Sequence, residues 1–442
     1  MFRIKKAKLL LLLIASIGLP TLTYAQQPIT LKEALKYALE NNSAAKKAVL
    51  EIDKGKYKTQ EVRAQALPQV NATSGLNYNP IVAQLITPQG SFKIGNTWSS
   101  NAGVQLSQQL FNQTVFTGLQ AAKASEAYYR LNAKLTQEQV IEQVANNYYQ
   151  VLVNRQQLNV VNTNIKNVKV VEKIIKNQYQ NGLAKKIDVD RIDVNLTNLI
   201  TQKDQIENGI IQLENQLKLS MGMPVSTPIT LPTSELTDVL ELPTLADTIG
   251  LANRTEIKLL DVQKNLLNLQ RKAYVSEYYP SLSLSANYSY NSQASKFDYL
   301  KSSTTALAYD ASAIGLTLRI PIFNGFLTRS KIRQADIEIK QADEDRLNTK
   351  NSLNFAYENA KIQLRNSLNT INAQKKNAAL AEEIYKSTQN NYNNGLASLT
   401  DLLDTENSLT QAQNSYTQAL LNYKIAEIQL IKAKGEISTL AQ

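Results

Sequence analysis

The sequence occurs twice in one chain. Displaced by about 212 residues, the separation of Pro68 from Pro280, the first half reproduces the second landmark by landmark. Leu67-Pro68-Gln69 answers Tyr279-Pro280-Ser281, Tyr78-Asn79 answers Tyr290-Asn291, and Phe111-Asn112 answers Phe323-Asn324. Further on, Tyr179-Gln180-Asn181-Gly182-Leu183 answers Tyr392-Asn393-Asn394-Gly395-Leu396. A unit repeated at this length contributes equivalent pieces to one symmetric object. The expected object is a ring.

Within each copy the periodicity changes in the same order. Residues 30–66 read as helix, with Thr30 as N-cap and Glu33 completing a capping box. Pro68 ends that run, and Val70, Ala72, Leu76 and Tyr78 then alternate with Asn71, Thr73, Asn77 and Asn79. The return run sets Trp98, Ala102, Val104, Leu106 and Leu110 against Ser99, Asn101, Gln105 and Ser107. In the second copy Leu282, Leu284, Ala286, Tyr288 and Tyr290 alternate with serine and asparagine, and Ile314, Leu316, Leu318 and Ile320 follow. The expected strands are about 68–80, 97–111, 280–292 and 310–322. One apolar face opposite small polar residues suits a wall between lipid and water, although a soluble sandwich shares the alternation.

After each second strand comes a stretch free of proline, about 113–178 and 325–391. At about 1.5 Å per residue each makes a rod of roughly 100 Å. Each rod turns at Gly182 or Gly395, where glycine can adopt the left-handed conformation that ends a helix. The returning helices carry heptads: Leu402, Leu409, Tyr416, Tyr423 and Leu430 in the second copy, and Val189, Leu196, Lys203, Ile210 and Leu217 in the first. Such seams pack as coiled coils. The short helix before the strands and the returning helix together nearly match the long one, so they are expected to stack end to end beside it.

Composition removes whole classes of function. The chain has no histidine and no cysteine, which excludes imidazole and thiolate metal sites and the usual catalytic dyads. No cofactor and no enzymatic activity are expected. Residues 1–25 combine Arg3, Lys5, Lys6 and Lys8 with the apolar run Leu9 to Leu19 and then Ala25, the layout of a signal peptide. Of the net charge of +11, those four residues account for four; the rest is scattered along helices, so nucleic acid is not an expected partner. Pro224, Pro228, Pro232 and Pro243 mark a linker over about 223–245. The organisation is therefore a signal peptide 1–25, a first repeat 26–222, the linker, and a second repeat 246–442.

Four strands cannot close a barrel, and open edges in hydrocarbon leave backbone groups unpaired at several kcal/mol each. Two copies would give a small barrel with a filled interior; three would bring twelve strands together with room for water. A homotrimer is the expectation.

Over its whole length after the signal peptide the chain resembles the TolC-like outer membrane efflux family. The resemblance rests on Ile29-Thr30-Leu31-Lys32-Glu33-Ala34-Leu35, on Phe111-Asn112 and Pro321-Ile322-Phe323-Asn324-Gly325, and on Tyr392-Asn393-Asn394-Gly395 running on to Asp401-Leu402-Leu403-Asp404. It implies a mainly α protein with a membrane β-barrel. Three chains would form a 12-stranded barrel in the outer membrane, continuous with an α-helical coiled-coil barrel that extends into the periplasm. Such a duct passes the substrates of a tripartite drug-efflux or type I secretion system. Its partners would be outer membrane lipid, a periplasmic adaptor (membrane fusion) protein and an inner-membrane transporter. Two competing readings are a coiled-coil spacer of the envelope without a pore and an autonomous diffusion porin. Trp98, Tyr288 and Tyr290 in the strands argue against the first, and the length of the helices against the second.

The same resemblance assigns residues. Asp401 and Asp404, with Asp188 and Tyr392, would form the periplasmic gate. The aspartates have an alternative role as helix caps that offset the macrodipole, with Ser398 and Asp401 as a capping box. Gly182, Leu183, Gly395 and Leu396 at the helical tips would contact the adaptor. Pro68, Phe111, Pro280, Pro321 and Phe323 would form the swivel between strand and helix. The family pairs an arginine near the second turn with the first-repeat aspartate, but this chain has Ala397 there; Lys185, Lys186 and Arg191 are the candidate substitutes.

Overall fold

The computed structural model describes residues 28–232, 236, 250–297 and 306–442. The signal-peptide segment 1–25 and most of the second half of the linker lie outside them. The elements run α1 (Leu31–Asn41), α2 (Ser43–Ala64), β1 (Gln69–Tyr78), β2 (Gln84–Thr87), β3 (Gly90–Lys93), β4 (Trp98–Phe111), α3 (Gln113–Gln180) and α4 (Lys186–Met221). Then follow α5 (Thr255–Ser276), β5 (Ser281–Ala294), β6 (Leu307–Arg319), α6 (Leu327–Asn393) and α7 (Leu399–Lys434).

The Thr30 capping box forms: the Thr30 side chain accepts the Glu33 N–H, and the Glu33 carboxylate accepts the Thr30 N–H at 2.9 Å. The helix it opens is shorter than the expected 30–66. Asn42 adopts an extended conformation (φ −60°, ψ 132°) and splits the run in two. Its Oδ1 accepts from the N–H groups of Ala44 (2.8 Å) and Ala45 (3.2 Å), starting α2, while its Nδ2 donates to the Ser220 carbonyl at 2.7 Å. One side chain thus caps α2 and ties it to the end of α4. Gly222 closes α4 with φ 74°, and a Cβ there would lie 2.4 Å from the Asn41 carbonyl oxygen.

The second copy makes the equivalent junction with a charge. Arg254, 4 % exposed, precedes α5, and its guanidinium donates to the carbonyls of Lys432 and Ala433 at the end of α7 and to Glu256. In both copies, therefore, a short helix and a returning helix meet end to end beside a long one: α2 and α4 pack on α3, and α5 and α7 pack on α6. The long helices have 68 and 67 residues, or about 100 Å each. They stay packed on their partners because apolar residues recur along one seam.

The core follows the heptads in two stretches. One surrounds Leu35, Tyr148, Leu152, Tyr357, Leu364 and Tyr423. The other lies nearer the turns, around Val161, Val168, Ile192, Leu199, Leu402 and Leu409. Truncating one such leucine to alanine costs about 2–5 kcal/mol, because the removed methyls leave a cavity. The proline-rich segment is partly core: Ile229 and Leu231 are buried, and Thr230 accepts the Ile29 N–H at 2.8 Å.

The four long strands form one antiparallel sheet in the order β1-β4-β5-β6, with the two copies joined through β4 and β5. Register places Val70 opposite Leu106, Leu106 opposite Ala286, and Ala286 opposite Ile314, so the apolar positions of all four strands share one face. Asn71, Gln105, Asn287 and Ala313 align on the other. Every residue of β6 is exposed, with Ile314 at 83 %. Neither the outer edge of β1 nor that of β6 has a partner strand among the described residues.

Two details depart from the sequence reading. A bulge between Gln109 and Phe111 sets Phe111 opposite Leu282, so Leu110 leaves the paired apolar row it was expected to join. A small hairpin, β2 with β3, projects between β1 and β4. No helix among the described residues is long and apolar enough to cross a membrane.

Candidate docking and gating site at the helical tips

The ends of the two helical hairpins hold most of the residues singled out in the sequence, and the chain builds both ends alike. Gly182 has φ 74° and Gly395 has φ 73°. The Leu183 N–H donates to the Gln178 carbonyl and the Gly182 N–H to the Tyr179 carbonyl; Leu396 to Asn391 and Gly395 to Tyr392 repeat the pattern, with distances of 2.8 and 3.0 Å in each case. This is the Schellman arrangement, in which the residue after glycine usually packs on the side chain five positions back. Here that partner is Gln178 or Asn391. Leu183 and Leu396 are left 80 % and 79 % exposed.

The returning helices start differently. Ser398 caps α7 with a complete box: Asp401 Oδ2 accepts the Ser398 N–H at 2.9 Å and its hydroxyl at 2.7 Å, and the Asp401 N–H donates back at 3.1 Å. The Ser398 hydroxyl and N–H hold the Asp401 carboxyl below the usual carboxylate range. Asp401 therefore has the capping role as a structural fact. Lys185, at the equivalent position before α4, makes no side-chain cap. Asp404 is exposed and lines the groove between α4 and α7.

Contact between the copies at this end combines the apolar cluster around Val161, Ile192 and Leu402 with one hydrogen bond from a charged donor to a neutral acceptor. Arg191 Nη1 donates to Thr400 Oγ1 at 2.9 Å, spanning a groove of about 720 Å³ whose walls include Asp190, Val194, Leu403 and Asp404. No ion pair joins α4 to α7 or α3 to α6 at the tips among the described residues; Lys176 pairs with Glu172 and with Asp193 inside the first hairpin. Burial raises the Tyr392 hydroxyl above its ordinary value, and the charge of Asp188, from the other copy, adds to the effect.

Sequence reasoning passed over two residues of this region. Tyr385 on α6 is buried, which pushes its hydroxyl up to about 12 with help from the Glu406 charge. Glu406 on α7 is 4 % exposed. Its signal was legible: it stands four residues after Leu402 and three before Leu409, and so on the seam.

The strand-helix connections differ between copies. Pro68 and Pro280 directly precede β1 and β5. After β4, Asn112 alone separates Phe111 from α3, capping it through the Thr114 N–H at 3.0 Å. After β6, residues 320–326 intervene, and Gly325 and Phe326 both take positive φ, 63° and 65°. Phe323 packs edge-on against Phe326 at 5.5 Å, beside Pro321. No group of His, Cys, Asp and Glu residues able to hold a metal exists among the described residues.

Comparison with known proteins now fits this geometry. The profile of the outer membrane efflux protein family matches residues 34–223 and 250–436. The chain is 24 % identical to outer membrane protein TolC of Vibrio cholerae over 98 % of its own length and 96 % of that protein's. It is also 24 % identical to toxin and drug export protein A of Aggregatibacter actinomycetemcomitans, over 90 % of this chain and 84 % of that one. The crystal structure of VceC, an outer membrane protein of Vibrio cholerae, superimposes with a TM-score of 0.71 at 17 % identity, covering 92 % of this chain and 96 % of the other. The two matched segments carry the paired strands and the paired hairpins, and the chain belongs to the TolC-like outer membrane efflux protein family, whose members are outer membrane channels and not enzymes.

Proposed function

We propose that three copies of this chain form a passive duct, a 12-stranded barrel in the outer membrane continuous with an α-helical barrel that reaches into the periplasm. The observation that carries the reading is the sheet. It has four antiparallel strands, a registered apolar face, one strand, β6, exposed along its whole length, and two edges without partners among the described residues. Edge joined to edge around a three-fold axis, the sheets would satisfy every strand and leave the apolar face to lipid. The Asn71 and Asn287 face would then line the water-filled interior.

In this reading the signal peptide 1–25 is removed on export, the repeats 26–222 and 246–442 supply equivalent wall segments, and residues 223–245 join them. Pro68, Phe111, Pro280, Pro321 and Phe323 turn strand into helix. The tips meet a periplasmic adaptor through Leu183 and Leu396, presented by Gly182 and Gly395, and the adaptor links the duct to an inner-membrane transporter that supplies the cargo. Asp401, Asp404, Asp188 and Tyr392 narrow the mouth, with Arg191 to Thr400 as the bond between hairpins in place of the ion pair that Ala397 precludes.

The test is single-channel conductance of the purified protein in planar bilayers, together with heat-dependent mobility of the trimer on gels. Heat-modifiable trimers with a cation-preferring pore are expected, and Asp401→Ala with Asp404→Ala should raise conductance and weaken block by divalent cations. Trimers without conductance would point to the spacer reading, and unchanged conductance in the double variant would remove the aspartates from the gate.

A further inference from the structure

Glu406 is a carboxyl group in the wrong place for a charge. It sits on α7 between Leu402 (1 % exposed) and Leu409 (5 %), on the face that packs into the apolar cluster nearest the tips. Val161, Ile165 and Val168 of α3, Ile192 and Leu199 of α4 and Tyr385 of α6 belong to that cluster. Glu406 Oε1 has no hydrogen-bond partner among the described residues. The Thr410 hydroxyl on the next turn is committed: it donates to the Glu406 backbone carbonyl at 3.0 Å and accepts from Asn164 of α3 at 2.6 Å.

Nor, among the described residues, does any cation at this end pair with it; Lys203 of α4 is held by Glu207. On α3 and α4, Lys176 is held by Glu172 and Asp193, and Arg191 is bonded to Thr400. On α6, Lys386 pairs with Glu382, and the titratable side chain that responds to Glu406 is Tyr385, which carries no positive charge. Lys166 and Lys169 of α3 are exposed. On its own helix the flanking charges are Asp401 and Asp404, both of the same sign. An ionised carboxylate buried without a partner is among the costliest groups a packed interface can contain.

We infer that Glu406 is a proton-operated latch: its carboxyl is neutral when the two helical hairpins pack together near the tips, and its ionisation drives them apart. Burial pushes this carboxyl up to about 7 in the packed arrangement, against 4.5 for an ordinary glutamate. The sign follows from proton linkage. Packing takes up a proton, so it is unpenalised below the ordinary carboxylate range, weakens as pH rises from there to about 7, and is constant in its penalty above. Between about pH 5 and about pH 8 the packing equilibrium of one chain falls on the order of 50-fold. With no histidine anywhere in the sequence, no imidazole competes in that window. Glu138, also raised by burial, lies away from the tips beside Thr255.

The effect of the latch on conduction rests on the duct reading; the movement itself does not. The chain has no cysteine, so Asn195→Cys with Asn407→Cys would place spin labels on the two walls of the tip groove and nowhere else. Inter-label distances would be measured in full-length protein diluted with unlabelled chains, at about pH 5 and about pH 8. The expected result is a short-distance population at the lower pH that gives way to longer distances at the higher. Glu406→Gln and Glu406→Leu should both keep the short distance at either pH. Identical distributions in the parent protein at the two pH values would overturn the inference, as would a pH shift that persists in Glu406→Gln. Conductance of the same samples separates the two readings: a distance change in protein that conducts at neither pH would retain the latch and remove the duct.

Discussion

Asn42 makes the most quantitative claim about stability. Replacing it with alanine removes two contributions at once. The first is the N-cap of α2, which holds the Ala44 and Ala45 N–H groups and is worth about 1 kcal/mol. The second is the 2.7 Å bond from Nδ2 to the Ser220 carbonyl, worth about 1 kcal/mol, with a further 1–2 kcal/mol if that part-buried carbonyl finds no other donor. The sum for Asn42→Ala is about 2–4 kcal/mol. Asn42→Ser separates the terms, since serine caps about as well as asparagine but is too short to reach Ser220. Its cost should be about 1 kcal/mol smaller than that of alanine. Amide hydrogen exchange resolved to peptides is the right assay, because the loss is local: opening of residues 43–50 and 215–222 should rise by roughly 30- to 900-fold in Asn42→Ala, with α6 unchanged. Equal protection in the alanine variant and the parent protein would refute the junction as a source of stability. Equal costs for serine and alanine would refute the division into cap and tie.

Further predictions concern the tips and the other closing residue. Leu183→Glu with Leu396→Glu should abolish crosslinking to a co-expressed adaptor while trimers persist on gels; loss of the trimer would make these leucines structural. Gly222→Ala forces a left-handed alanine, at about 1–2 kcal/mol, and drives its Cβ into the Asn41 carbonyl, so α1 and the end of α4 should exchange faster than in the parent protein. Acid should act on α7 in the opposite sense from the Glu406 latch. The Asp401 carboxyl is lowered by its cap, so the capping contribution is present above the ordinary carboxylate range and is lost as pH falls through the lowered value. Fraying of residues 399–402 at acidic pH, measured by exchange, should disappear as a pH effect in Ser398→Ala.

The long helices and the strands were legible because each is written in one uninterrupted period: no proline breaks 113–180, and alternation persists from Leu282 to Tyr290. The seam residues Leu402, Leu409, Tyr423 and Leu430 are buried as their spacing requires. What escaped notice depends on a partner far away in sequence. Asn42 reads as a tolerable helix residue until the Ser220 carbonyl is brought to it. Leu110 fits a period of two perfectly, and only the pairing with β5 reveals the extra residue that hands its place to Phe111. The β2–β3 hairpin was hidden by the short, mixed run around Pro88 and Gly90. Arg191 was one of three cations with equal claims, and the geometry gives it the bond to Thr400. Glu406 was passed over because the eye follows the leucines on either side of it.

The unequal strand-helix connections give the wall an alternating compliance. One helix grows from its strand through a single residue, Asn112, and inherits the strand's direction with no slack. The other hangs from a seven-residue span in which two consecutive residues have positive φ, and can be re-aimed by small rotations there. A ring of three such chains would hold three stiff posts and three jointed ones in turn. Twisting that ring would move the second-copy helices first, so an iris built this way would open with three-fold rather than six-fold symmetry.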